Sequence, residues 1–158
     1  GSSVATFLVR SEDEVEKAVK EGLKYDNEII IEEYINGEEI TSFVLNREVF
    51  PTVKIKSKNS EFFDYSSKYG ENGAEEVVVL LEEKLQEKIN NISKKVWDIL
   101  GCNSYVRIDM IVREGVPYLL EVNTLPGMTT QSLIPKSAEV RGLEFSELLD
   151  KIIECSLI

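Results

Sequence analysis

Between Val106 and Asn123, apolar and polar residues alternate in two runs, Val106 to Val112 and Tyr118 to Asn123, separated by a segment containing Gly115. Strict alternation marks a strand with two unlike faces, so a β-hairpin is the expected fold of this segment. The first strand places Val106, Ile108 and Met110 on one face and leaves Arg107 and Asp109 on the other. The second places Leu120 and Val122 together, with Glu121 and Asn123 opposite. With the turn centred on Gly115, Asp109 lies across from Glu121 and Arg107 across from Asn123, so four polar groups converge on one patch.

Two carboxylates directly opposite each other on paired strands repel, and something must offset their charge. Two readings stay open on spacing alone. In the plain one, Arg107 bridges the acids on a solvated face, the usual state of one side of an antiparallel sheet. In the other, a hard cation such as Mg²⁺ takes one or two carboxylates plus an amide oxygen and keeps positions for water and phosphate. Arg107 would then face a transferring phosphoryl group.

The rest of the chain supplies a frame for this hairpin. Ser11 and Glu14 read as a capping box, and Val15, Ala18, Val19 and Leu23 carry helical spacing to about Tyr25. Glu28 to Tyr34, EIIIEEY, reads as a buried strand turning at Asn36-Gly37. Ile40 to Leu45 and Glu48 to Ile55 follow as strands joined through Asn46-Arg47. From about Ser57 to Glu76 no period is sustained, and a connection of that length is often a lid or binding loop. Val77 to Leu80 is a short apolar run with strand character. Glu82 to Leu100 is an amphipathic helix carrying Leu85, Ile89, Ile92, Val96 and Ile99, with Gly101 as its stop. Helices are expected over Ser132 to Val140 and Phe145 to Ser156. Strands in a meander with helices on one side predict an α+β fold, an antiparallel β-sheet with flanking helices.

Composition narrows the chemistry. The net charge of −11 would repel a polyanion, which argues against nucleic acid as a partner. No apolar stretch reaches the length of a membrane span, so no membrane partner is expected. The two cysteines, Cys102 and Cys155, lack metal-ligand spacing, and a cytoplasmic location is the expectation. The chain contains no histidine, which removes imidazole triads, dyads and metal ligands together. What remains is carboxylate, Lys, Arg, Tyr and Ser chemistry with a hard metal.

The continuation of the hairpin is more specific than its alternation. RIDM followed by LLEVNTLPGMTTQSLIP resembles the carboxy-terminal signature of the ATP-grasp ligases, and among them the D-alanine:D-alanine ligases, nearly residue for residue. The likeness extends from the opening GSSV through IIIEEYINGEE and DYSSKY to the last helix. It implies an ATP-grasp fold, with residues 1–35 belonging to a central subdomain and 36–158 forming the carboxy-terminal subdomain. It also implies ATP as cofactor, with Mg²⁺ (or Mn²⁺) held by Asp109, Glu121 and Asn123. Arg107 would be the group that stabilises the transferring phosphoryl.

The resemblance assigns further roles, each with a plainer alternative. IEEYINGEE is otherwise a strand-turn-strand with a solvated rim; in the family it is the adenine site, with Glu32 at the amino group, Glu33 beside it, Tyr34 and Ile35 along the ring and Glu39 on the ribose hydroxyls. SSKYGENG is otherwise an exposed loop; in the family Lys68 contacts phosphate and Tyr69 orders the substrate site as the loop closes. The absence of histidine there favours an amine over a hydroxyl nucleophile. PGMTTQSL is otherwise a Pro-Gly turn and a serine N-cap; in the family Gly127 offers an oxyanion-binding amide, and Ser132 and Leu133 anchor the second D-alanine's carboxylate. GSSVA resembles the phosphate loop GSSVG with Ala5 in place of the last glycine, so Ser2 would bond with Tyr69 to an amino-terminal glutamate, while Ser3 and Val4 present amides to phosphate.

The amino-terminal domain that binds the first D-alanine in the family is not represented, and this piece is expected to be inactive alone. The resemblance further implies a homodimer for the full-length protein and a place in peptidoglycan precursor synthesis. Two alternatives remain: another ATP-grasp carboxylate-amine ligase, which would keep the metal residues without needing Lys68, Tyr69 or Ser132, and a non-catalytic Mg-ATP-binding module.

Overall fold

A computed structural model describes residues 5–56, 75–79 and 81–157. The chain falls into two compact units, one running to Ile35 and the other comprising Asn36–Lys56 and Glu76 onward.

In the first unit, helix α1 spans Glu12–Gly22 behind Ser11, with Glu12, Asp13 and Glu14 in its first turn, where the helix dipole favours negative charge. The capping box forms only in part. Ser11 contributes its carbonyl to the Glu14 N–H (3.1 Å) and makes no side-chain cap, while the Glu14 carboxylate accepts from the Arg10 N–H (2.8 Å). The strand expected over Glu28 to Tyr34 is absent. That segment carries no strand pairing, and Ile30 and Ile31 are 86% and 76% exposed. Ile29 is better covered because it packs on Gly22, where a Cβ would sit 3.2 Å from its Cγ2. The β-branched run has the propensity for a strand, but a strand exists only with a partner to pair with, and this unit supplies none among its described residues.

The second unit is built on an antiparallel sheet. Its strands are β1 (Glu38–Leu45), β2 (Glu48–Val49), β3 (Val53–Lys56), β4 (Glu75–Val78), β5 (Tyr105–Arg113) and β6 (Val116–Asn123), in the order β4-β3-β1-β5-β6 with β2 paired to β1. Two-residue turns join β1 to β2 and β5 to β6. In each, both central residues have positive φ (Asn46 and Arg47; Glu114 and Gly115), the geometry that matches strand twist.

The single strand expected over Glu48 to Ile55 is broken at Phe50-Pro51-Thr52, since proline has no N–H for the ladder. The freed carbonyls are taken up elsewhere: Ser137 Oγ donates to Pro51 O (2.6 Å) and Val79 N to Thr52 O (3.1 Å).

Helix α2 (Glu83–Leu100) covers one face, burying Ile89, Val96 and Trp97 against Ile40, Val44, Val106, Ile108, Met110 and Val112. It ends in a complete Schellman motif, with Gly101 at φ 60°, Gly101 N to Asp98 O and Cys102 N to Trp97 O. Ile99, expected in the buried stripe, is 70% exposed, because the stripe runs through Ser93 and Trp97 instead.

The opposite face is covered at one end by helices α3 (Leu133–Glu139) and α4 (Phe145–Ser156), through Phe43, Leu45 and Phe50 with Ile134, Ala138, Leu148 and Ile152. Alternation along β1 and β5 carries Thr41, Arg107 and Asp109 onto this second face, beside the helices.

Asn36-Gly37 does not make the expected hairpin turn. Gly37 is required by close approach: a Cβ there would lie 2.4 Å from Val112 O and 2.6 Å from Ile111 Cγ2. Backbone cannot move aside as a flexible side chain can, so Gly37→Ala is expected to destabilise the sheet by about 1–3 kcal/mol. A lowered urea midpoint with unchanged m-value will report it; an unchanged midpoint would show that β1 and β5 part freely here.

Candidate functional site

The register of the central strands decides what can meet on the second face. Thr41 on β1 pairs with Asp109 on β5, Asp109 pairs with Glu121 on β6, and Arg107 pairs with Asn123. The convergence expected from alternation is therefore present. One detail differs: the register shifts between Asp109 and Met110, so that Met110 opposes Leu119 and Leu120 has no opposite residue. Leu120 is 45% exposed and does not join Val122 against the core. A bulge of this kind re-aims the strand next to a site, and it falls between Asp109 and Glu121 on one side and the ordinary hairpin ladder on the other.

Asp109 is buried and lies at the centre. Its Oδ1 accepts from Thr41 Oγ1 (2.5 Å) and Arg107 Nε (2.9 Å). Its Oδ2 accepts from Arg107 Nη2 (2.7 Å) and Asn123 Nδ2 (3.2 Å). Asn123 Nδ2 also donates to Glu121 Oε1 (2.9 Å), and Arg107 Nη2 stands 3.9 Å from the same oxygen. Arg107 thus offsets one of the two paired charges, and the Asn123 amide bridges the two acids. Burial pulls the Arg107 pKa down, but the hydrogen bonds and charge of Asp109, with the charges of Glu121 and Glu39, outweigh it and hold the guanidinium above its ordinary value. Glu39 pairs with Ile111 on β1, two residues from Thr41, which places it on the same face.

The donor set fits a hard divalent cation. Two carboxylates from adjacent strands and one side-chain amide offer only oxygen ligands, the set that Mg²⁺ takes when it retains water and phosphate. Among the described residues no group of three or more His, Cys, Asp or Glu is gathered, which leaves this smaller constellation. To act as a ligand, Asn123 would turn its amide to present oxygen, and Arg107 would leave Asp109 Oδ2.

Ser132 sits immediately before α3, but its hydroxyl does not cap that helix. It accepts from the Thr129 N–H (3.0 Å) and shares a bond with Thr129 Oγ1 (3.0 Å), closing the 129–132 turn together with Ser132 N to Thr129 O (2.8 Å). The third helical residue is Pro135, without an N–H to receive such a cap. Leu133 begins the helix, so its own N–H has no partner within it. Gly127 lies against this turn, with space for a Cβ 3.5 Å from Ser132 Oγ, and its φ is not positive. Close approach, rather than backbone handedness, is what a glycine at 127 permits.

Glu32, Glu33, Tyr34 and Ile35 lie in the extended segment of the first unit; the first three are exposed and Ile35 is half-buried. Ser2, Ser3, Val4, Lys68 and Tyr69 lie outside the described residues. The residue missed in the sequence is Thr41, whose contact with Asp109 depends on a strand pairing spanning 68 positions. Its only sequence signal is its placement beside Ser42, the two being the small hydroxyl residues between Ile40 and Phe43 in the buried part of β1.

Residues 1–154 match the family model described as D-ala D-ala ligase C-terminus. The chain is 52% identical over 158 residues to D-alanine--D-alanine ligase B of Clostridium perfringens, covering 99% of this chain and 52% of that protein. Among solved structures, the D-alanine--D-alanine ligase of Bacillus anthracis complexed with ATP matches with a TM-score of 0.83 and 41% identity, over 94% of this chain and 48% of that one. The VanG D-Ala:D-Ser ligase of Enterococcus faecalis matches with a TM-score of 0.78 and 31% identity, over 92% and 43%. The chain spans about half the length of the curated relatives it matches.

Proposed function

Since this chain belongs to the D-alanine–D-alanine ligase family, matching its carboxy-terminal part in an ATP-grasp fold, we propose that the protein it forms joins two D-alanines with ATP, for peptidoglycan precursors. One carboxylate oxygen of the first D-alanine takes the γ-phosphoryl group, ADP leaves, and an acyl phosphate results. The amine of the second D-alanine then attacks the acyl carbon and gives up a proton, and inorganic phosphate departs with the bonding pair. The observation that supports this best is the convergence of Arg107, Asp109, Glu121 and Asn123 on one face, in a chain half identical to a named ligase.

Asp109, Glu121 and Asn123 would hold Mg²⁺ or Mn²⁺, which when bound lowers the cost of charge on the phosphates. Arg107 carries a fixed positive charge and, once off Asp109, is suited to the oxygens of the phosphoryl group. Gly127, open to close approach, would offer its amide to the carbonyl oxygen of the acyl phosphate. Ser132 Oγ and the Leu133 N–H would take the carboxylate of the second D-alanine. Glu32, Glu33, Tyr34 and Ile35 would hold adenine and Glu39 the ribose; Lys68, Ser3 and Val4 would meet phosphate, and Tyr69 and Ser2 would order the substrate side. The setting we propose is cytoplasmic and the assembly a homodimer.

The test is ADP release by the longest natural reading frame containing this chain, given Mg-ATP with D-alanine, D-serine paired with D-alanine, D-lactate paired with D-alanine, or no acid. D-alanine alone is expected to stimulate release and to yield D-alanyl-D-alanine. A mixed product formed in preference would move the second substrate, as the likeness to a D-Ala:D-Ser ligase allows. No stimulation by any acid would reject the ligase reading.

A further inference from the structure

Three of the four groups around Asp109 are accounted for by charge or by proposed metal ligation, and the fourth is not. Thr41 is 2% exposed and sits on β1, the strand next to the one bearing Asp109. A hydroxyl has one proton to give. Its two acceptors within reach are Asp109 Oδ1 at 2.5 Å and Ile108 O at 3.4 Å, so the proton goes to the carboxylate. The contact is charge-assisted and shielded from water, the conditions under which a hydrogen bond orients its acceptor most firmly.

From this geometry we infer that Thr41 is a positioning residue for the metal site, fixing the Asp109 carboxylate so that Oδ2 faces Glu121 and Asn123. The inference rests on the metal reading given above. Its force comes from what must change when a cation arrives. Arg107, which bonds both carboxylate oxygens, would turn away to the phosphoryl group, and the Asn123 NH₂ group would give up Oδ2. Thr41 bonds the other oxygen, from a buried strand that has no need to move. It is therefore the contact that persists, and it sets the carboxylate's rotation before and after loading. Groups that hold a ligand's far side commonly govern metal affinity by 10–100-fold.

Thr41→Val keeps the β-branched shape and removes the hydroxyl, while Asp109 Oδ1 retains Arg107 Nε as a partner. Mn²⁺ binding is to be measured on the longest reading frame containing this chain, with ADP present, by the loss of the free Mn²⁺ paramagnetic resonance signal. Thr41→Val is expected to weaken Mn²⁺ binding by about 10-fold or more, and Thr41→Ser to restore it to within about 3-fold of wild type, since serine has the same donor. Packing alone would not produce that rescue, because serine leaves a larger void than valine does. Should Thr41→Val lose its cooperative melt, Thr41→Ala against Thr41→Ser gives the same comparison. Wild-type affinity in the folded Val or Ala variant would overturn the positioning role alone. Wild-type protein with no Mn²⁺ uptake sensitive to Asp109→Asn would overturn the metal reading, and the positioning role with it.

Discussion

In the longest reading frame containing this chain, and on the ligase reading proposed above, Glu121→Gln is expected to lower D-alanine-dependent ADP formation by about 10²–10³-fold while leaving the fold at least as stable as it was. The two effects have opposite signs because they come from the same charge. Glu121 stands opposite Asp109 on paired strands, and like charges so placed cost about 0.2–1 kcal/mol. Glu121 is about half exposed, which screens the repulsion and puts it toward the lower end. Glutamine keeps an oxygen for the Asn123 Nδ2 bond, and what is lost is the attraction to Arg107 across 3.9 Å on a half-exposed side chain, which offsets only part of the relief from repulsion. Activity, in contrast, loses an anionic ligand if Glu121 holds the cation as proposed, where a bound cation supplies several kcal/mol and each 1.4 kcal/mol is about a factor of ten. Urea midpoints and ADP release measured on the same preparations separate the two. A side chain whose removal helps the fold and harms the reaction is there for the reaction. Activity within about 3-fold of wild type would remove Glu121 from the metal site.

The polar face of the hairpin is legible because strand alternation has a period of two. A turn centred on Gly115 pairs Asp109 with Glu121 and Arg107 with Asn123, and the structure has both pairs by another route: the two-residue turn at Glu114-Gly115 sets Met110 against Leu119, and the bulge after Asp109 shifts the ladder by one residue to give them. Features that depend on a distant partner were not legible. Ile29, Ile30 and Ile31 have strand propensity, but propensity cannot provide the neighbouring ladder, and none of the three is buried. Thr41 is invisible for the same reason, since its function is a bond to a residue on another strand. Leu120 was misassigned because one extra residue in a strand inverts the expected face of what it displaces. Gly37 was read correctly as special and for the wrong cause, as close packing and positive φ leave the same letter in a sequence. Pro51 did carry a legible warning, because a residue without an N–H cannot continue an internal ladder.

Replacing Arg107 is expected to cost stability that divalent cations can restore. Arg107 makes three hydrogen bonds of 2.9, 3.2 and 2.7 Å to Asp109, with side chains only 22% and 9% exposed. Removing one partner of a buried pair costs about 3–5 kcal/mol, because the other charge stays behind. Arg107 retains some water, so Arg107→Met should lose about 2–3 kcal/mol on that scale. High pH cannot substitute for the mutation. The guanidinium is held above its ordinary value, so the stability it contributes is present at all lower pH and is lost only as pH rises through that raised value. A cation can substitute. On the proposed metal site, Mg²⁺ or Mn²⁺ would first have to displace the guanidinium from Asp109 Oδ2 in wild type, whereas in Arg107→Met the oxygen is already available. Millimolar cation should therefore raise the urea midpoint of the variant more than that of wild type; at a hundred times its own Kd the variant gains about 2.7 kcal/mol in all. Turnover should remain low in the variant despite recovered stability if Arg107 serves the phosphoryl group as proposed, because the cation would replace it only at Asp109. Equal cation effects on both proteins would mean that Arg107 and the metal do not compete for Asp109, and the arginine would then be a fixed strut of the sheet.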